Sequence, residues 1–118
     1  MFPLPNTNTL EISLDIDLKT ARSIDIDFTG APAEQMIFKD SSFEMTGVNA
    51  PFSFPDGKRR VHSRIFFDRS VLEVFVNNSL CATKVIQPLG QWTGLSIKSS
   101  GGQAKARLIE AWPMKTMW

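Results

Sequence analysis

Four aspartates recur at alternate positions in two short runs, Asp15 with Asp17 and Asp25 with Asp27. Closely spaced carboxylates can hold calcium or serve as the acid and nucleophile of a glycosidase. If the two runs formed a hairpin around residue 21, Asp17 would face Asp25 and Asp15 would face Asp27. Like charges directly opposite each other destabilise a sheet. A cation must then sit between them, or bases intervene, or the strands belong to different sheets. Calcium sites usually add loop carbonyls to their carboxylates, so a solvated polar face is the better reading, and no metal or cofactor is expected. His62, the single histidine, has the right chemistry for a general base. No nucleophile motif lies near it, and it reads as an exposed strand residue. Cys81, the single cysteine, excludes an internal disulfide and a multi-cysteine zinc site. It reads as a small buried hydrophobe. No G-x-S-x-G, H-E-x-x-H, phosphate-loop or dinucleotide fingerprint occurs.

The binding candidates are basic and aromatic. Lys58-Arg59-Arg60 could meet a polyanion, although three bases before a strand more often form a solvated loop edge. Trp92 follows Gly90-Gln91 and could stack on a sugar ring, or it could cover the end of a β core. Phe52-Ser53-Phe54 lies in a Gly/Pro-rich stretch where exposed rings would mark a contact surface. Trp112 and Trp118 lie near the chain end.

The elements that must position these residues are strands. Leu10, Ile12, Leu14, Ile16 and Leu18 alternate with Glu11, Ser13, Asp15, Asp17 and Lys19, the period of a half-buried strand. Ile24, Ile26 and Phe28 alternate with Asp25 and Asp27, and weaker strands are expected near 35–39 and 42–46. Residues 47–60 read as a loop of about a dozen residues. Val61, Ser63, Ile65 and Phe67 alternate with His62, Arg64, Phe66 and Asp68. Leu72, Val74 and Val76 alternate with Glu73, Phe75 and Asn77. Asp68-Arg69-Ser70 and Asn77-Asn78-Ser79 are the turns. Further strands are expected at 80–86, 93–98 and 104–112, with Ser99-Ser100-Gly101-Gly102 as a turn. About nine short strands without helical crossovers predict an all-β fold, a two-sheet antiparallel β-sandwich of the concanavalin or jelly-roll kind.

Composition agrees with one globular domain. The chain has 118 residues, 42% apolar and 21% charged, and a chain of this size buries roughly two-thirds of its unfolded surface. No apolar run reaches the ~18 residues of a membrane span, and no signal peptide is visible at Met1-Phe2-Pro3-Leu4-Pro5. A net charge of +1 gives no pull toward nucleic acid or membrane. The balance hides an asymmetry: residues 1–50 carry eight acids and three bases, and residues 51–118 four acids and ten bases. In a compact β domain the two halves interleave and complement each other.

The segment Arg64-Ile-Phe-Phe-Asp-Arg-Ser-Val-Leu-Glu-Val-Phe-Val-Asn77 resembles a signature of the form R-I-F-x-D-x-S-x-x-E-V-F-x-N. That signature belongs to the C-terminal module of glycoside hydrolase family 32, the invertases, levanases and inulinases. Leu10-Glu11-Ile12, Gly94-Leu95-Ser96 and Glu110-Ala111-Trp112 extend the likeness over roughly residues 8–113, while Asn78-Ser79 and strand 80–86 depart from it. The resemblance implies a catalytic propeller as partner, with sucrose or fructan as the parent enzyme's substrate. The family's chemistry lies in Asn-Asp-Pro-Asn, Arg-Asp-Pro and Glu-Cys motifs of that propeller. None of these strings occurs here, so no catalytic residue carries over. The implied roles are to stabilise the propeller, to make homo-oligomer contacts and, in some members, to touch oligosaccharide. A free-standing carbohydrate-binding module and a purely structural domain are the alternatives. Trp92 is then the carbohydrate-binding candidate, and Phe52, Phe54 and Trp118 are the interface candidates. Phe2–Pro5, loop 47–60 and the tail from Trp112 form the expected bare surface. Asp68, Arg69, Ser70 and Glu73 read as turn and strand structure, with Arg64 a partner for Glu73.

Overall fold

The computed structural model describes residues 2–5, 9–30, 34–39, 41–45, 47–52, 54, 59–69, 71–77, 80–85 and 92–113. These form β1 (Phe2–Pro3), β2 (Thr9–Asp17), β3 (Ser23–Gly30), β4 (Glu34–Lys39), β5 (Ser42–Met45), β6 (Val48–Pro51), β7 (Arg60–Asp68), β8 (Val71–Val76), β9 (Leu80–Val85), β10 (Trp92–Ser100) and β11 (Lys105–Pro113). Every pairing is antiparallel. One sheet has the order β1-β10-β3-β4-β5-β6 and the other β11-β2-β7-β8-β9. The fold is the expected two-sheet sandwich.

The alternation read in the sequence is the alternation of burial. Leu10, Ile12, Leu14 and Ile16 of β2 are buried, as are Ile24, Ile26 and Phe28 of β3. They meet Val61, Ile65, Phe67, Leu72, Val74 and Val76 from β7 and β8 in one core. β2 and β3 are consecutive in sequence but lie in different sheets. The third explanation for the aspartates therefore holds: Asp15 and Asp17 sit on one sheet, Asp25 and Asp27 on the other.

Two strands were not expected. β1 pairs with β10, Phe2 opposite Leu95, and Phe2 and Leu4 pack partly buried against the core rather than standing bare. β6 forms inside the segment read as loop 47–60 and pairs with β5, Phe43 opposite Ala50. It delivers Phe52 into the core at 6% exposure. There Phe52 meets Phe38 edge-on at 5.9 Å, Phe54 meets Phe52 at 5.0 Å, and the Arg59 guanidinium lies over Phe54. Phe52 thus packs into the domain's own core, which corrects its reading as an interface residue, and Phe54 packs partly buried against it.

Polar braces tie the sheets and turns. Lys84 on β9 donates to Glu34 on β4 at 2.9 Å, joining the two sheets, with the Glu34 side chain only 2% exposed. Arg59 donates to the carbonyls of Lys19 and Ala21 at 2.9 and 2.7 Å. Thr20 and Gln103 exchange backbone and hydroxyl bonds that hold the β2–β3 turn against the β10–β11 turn. Gly102 belongs in that contact, because a Cβ there would run into the Thr20 carbonyl.

Candidate functional site

The signature segment divides by strand parity. Ile65, Phe67 and Val74 face the core at 0–1% exposure. Arg64, Phe66, Glu73 and Phe75 occupy the alternate positions, which are half-buried or exposed, on the outer face of the five-stranded sheet. Asn77 ends the segment at φ 50°. Its Oδ1 accepts from the His62 N–H at 2.7 Å, and its Nδ2 donates to the Arg60 carbonyl at 3.0 Å. The side-chain amide thus extends the β7 ladder where β8 turns away, a geometry that Asn provides because it tolerates positive φ.

Strand register assembles the rest of this outer face. One row across the sheet runs Trp112, Glu11, Phe66, Glu73, Thr83; the next runs Glu110, Ser13, Arg64, Phe75, Cys81. Arg64 pairs with Glu11 and lies over the Phe66 ring at 5.5 Å. Phe75 meets Phe66 edge-on at 5.8 Å. One row further along, Leu108 lies opposite Asp15, which pairs with Arg60 at 2.9 Å. Phe75, Val85, Leu108 and Trp112 are the exposed large hydrophobic residues among those described, and all four stand on this face.

The arrangement is suited to contact. Arg64 with Glu11 and Arg60 with Asp15 are paired on it, so covering these four groups leaves them paired; Glu73 and Glu110 on the same face call for cations from a partner. Its aromatic and Arg side chains are residue types enriched in interface cores.

The opposite surface is different. On the outer face of the six-stranded sheet Lys98, Asp25, Ile37, Glu44 and Asn49 lie in one row. Gln35 donates to Asp27 at 2.8 Å, and Lys39 pairs with Glu44. An open depression is lined by Gln35, Ile37, Glu44 and Met45. The four aspartates are thus split between the two outer surfaces of the sandwich, which stands two sheets thick, ~10 Å between their backbones. Among the described residues, no three His, Cys, Asp or Glu gather as metal ligands.

The predicted site residues fall as follows. Trp92 opens β10 and is fully buried, stacked between Phe28 at 4.3 Å and Phe67 at 4.4 Å. Both ring faces are occupied, so it is a core residue and not a sugar platform. Trp118 lies outside the described residues, as do Lys58 and Ser70. Cys81 is exposed on β9 rather than buried, because Leu80, Ala82 and Lys84 take the inward parity. Arg64 pairs with Glu11, not Glu73. His62 is exposed, as read. The outer-face cluster itself was not singled out. Its signal is present: Phe66 and Phe75 interrupt otherwise polar alternate positions of two amphipathic strands.

This is a two-sheet antiparallel β-sandwich. Residues 8–113 match the family described as glycosyl hydrolases family 32 C terminal, and the chain belongs to it. Among solved structures, a fructofuranosidase from Schwanniomyces occidentalis complexed with fructosylnystose superposes with TM-score 0.65 at 10% identity, covering 92% of this chain and 31% of that one. A galectin from Caenorhabditis elegans gives 0.65 at 13% identity, covering 94% of this chain and 88% of that one. Sheep galectin-11 in complex with glycerol gives 0.66 at 12% identity, covering 95% and 98%. The chain spans less than a third of the fructofuranosidase it resembles. A search of curated proteins found no match.

Proposed function

We propose that this chain is the non-catalytic accessory module of a sucrose- or fructan-cleaving hydrolase, and that it stabilises the catalytic propeller of that enzyme. The observation that carries the reading is the family match over residues 8–113, which spans the sandwich and leaves the propeller's Asn-Asp-Pro-Asn, Arg-Asp-Pro and Glu-Cys motifs unrepresented in the sequence. Retaining hydrolysis needs two carboxyl groups about 5–5.5 Å apart across the glycosidic bond; the Asp15–Asp17 and Asp25–Asp27 runs lie on opposite surfaces, and Asp15 is already paired with Arg60. Trp92 offers no free ring face to a sugar, which weighs against the alternative of a carbohydrate-binding module built on it.

The test is an assay of the purified chain, and of the catalytic domain encoded with it, on sucrose, inulin and levan. The chain alone releases no fructose; added to the catalytic domain, it lengthens that domain's half-life on heating. Turnover by the chain that disappears when one of its own carboxylates is replaced would overturn the proposal. So would a half-life that does not respond to the chain.

A further inference from the structure

We infer that the outer face of the five-stranded sheet, centred on Phe75, Phe66 and Trp112, is the surface on which the catalytic domain docks. This rests on the accessory-module reading and adds which face carries it. Of the segments that the sequence put forward as bare surface, Phe2, Leu4, Phe52 and Phe54 pack against the domain's own core, whereas Trp112, which opens the third, stands exposed. The large apolar side chains left exposed among the described residues are Phe75, Val85, Leu108 and Trp112. They come from β8, β9 and β11 and stand on one outer surface, with β9 and β11 at its opposite edges.

A folded protein domain fits this surface for three reasons. The matched fructofuranosidase has more than two-thirds of its chain outside the superposed sandwich, so a large body is available to cover it. The face's Arg64–Glu11 and Arg60–Asp15 pairs are closed on themselves, so burial leaves them paired. Its size also suffices. Five strands ~4.8 Å apart and about six residues of ~3.3 Å each make roughly 24 by 20 Å. A partner would therefore remove on the order of 1,000 Å² in total, the threshold of a specific interface. The other outer face, with its Lys98, Asp25 and Glu44 row, is built to stay wet.

Cys81 provides a native reporter, since it is exposed and stands beside Phe75 in the register. The catalytic domain encoded with the chain is titrated into it. The affinity and the rate of maleimide labelling at Cys81 are then measured for the unaltered chain and for Phe75→Asp, Trp112→Asp and Lys98→Asp. Each variant is first checked for an unchanged unfolding midpoint, and the two face variants serve as independent replicates should one fail to fold. The expected result is labelling slowed at least about tenfold in the complex. Affinity falls at least about 30-fold in Phe75→Asp and Trp112→Asp, the scale of a buried aromatic anchor. It stays within about twofold in Lys98→Asp. A complex that forms with unchanged labelling and unchanged affinity of both face variants overturns this inference and leaves the accessory-module reading standing. No complex at all overturns both. Protection of Cys81 in the chain alone at high concentration, relieved by Phe75→Asp, assigns the face to a second copy. Protection by added inulin assigns it to a sugar. Either result overturns the choice of partner.

Discussion

Ser63 lies fully buried on β7 between Leu14 and Val76, and its Oγ has no hydrogen-bond partner. A buried hydroxyl without a partner keeps its desolvation penalty. Ser63→Ala is expected to raise stability by about 1 kcal/mol, read as a higher urea midpoint with unchanged slope; a lower midpoint would mean the hydroxyl is bonded in solution. Lys84 is the reverse case. Its ammonium lies beside the nearly buried Glu34 carboxylate, and removing one member of such a pair takes a compensating charge from the other. Lys84→Met should therefore cost about 3 kcal/mol, and replacing both residues by apolar ones should recover most of it. At this scale the sequence was least legible. Trp92 is flanked by Gly90, Gln91 and Gly94, which suggests a loop. The bulge between Trp92 and Gly94 sets the parity that turns its ring inward, and a bulge leaves no reliable trace in composition. Cys81 failed for a related reason. Leu80-Cys81-Ala82-Thr83-Lys84-Val85 has no clean alternation, and an inward lysine paired across the sandwich reverses the expected parity.

At the scale of elements, hydrophobic alternation was sufficient wherever it ran unbroken. β2, β3, β7 and β8 were readable with their faces because core and solvent positions alternate through each of them. β1 and β6 were not, since Phe2–Pro3 and Val48–Pro51 are too short to show a period and contain proline, a residue sheets confine to edges. The β7–β8 hairpin lies within the five-stranded sheet, and Val74 on it is fully buried. Val74→Ala should lower stability by roughly 1–3 kcal/mol through lost transfer energy and a small void. Denaturation at an unchanged midpoint would show that the side chain is not packed as described. The functional face is legible only once elements are placed beside each other. Phe75 and Trp112 are 37 residues apart in sequence, and only the order β11-β2-β7-β8-β9 brings them to one surface.

Over the whole molecule, the charge asymmetry of the sequence resolves into cross-pairing. Glu11, Asp15 and Glu34 from the acidic first half pair with Arg64, Arg60 and Lys84 from the basic second half. β2 is sandwiched between β11 and β7, and β3 between β10 and β4, so neither half can cover its own apolar faces. A fragment of residues 1–54 is accordingly expected to lack a cooperative unfolding transition, and to gain one when mixed with residues 55–118. Cooperative melting of the first fragment alone, followed by far-ultraviolet circular dichroism, would contradict that interdependence. The same interleaving yields one sandwich whose five-stranded sheet carries the exposed aromatic residues on its outer face, the face proposed to meet the catalytic domain. The most direct measurement of that claim is a calorimetric titration of the chain into the catalytic domain encoded with it. Saturable binding at one chain per catalytic domain is the predicted result; no heat of binding, with the chain remaining free in sedimentation, would contradict it.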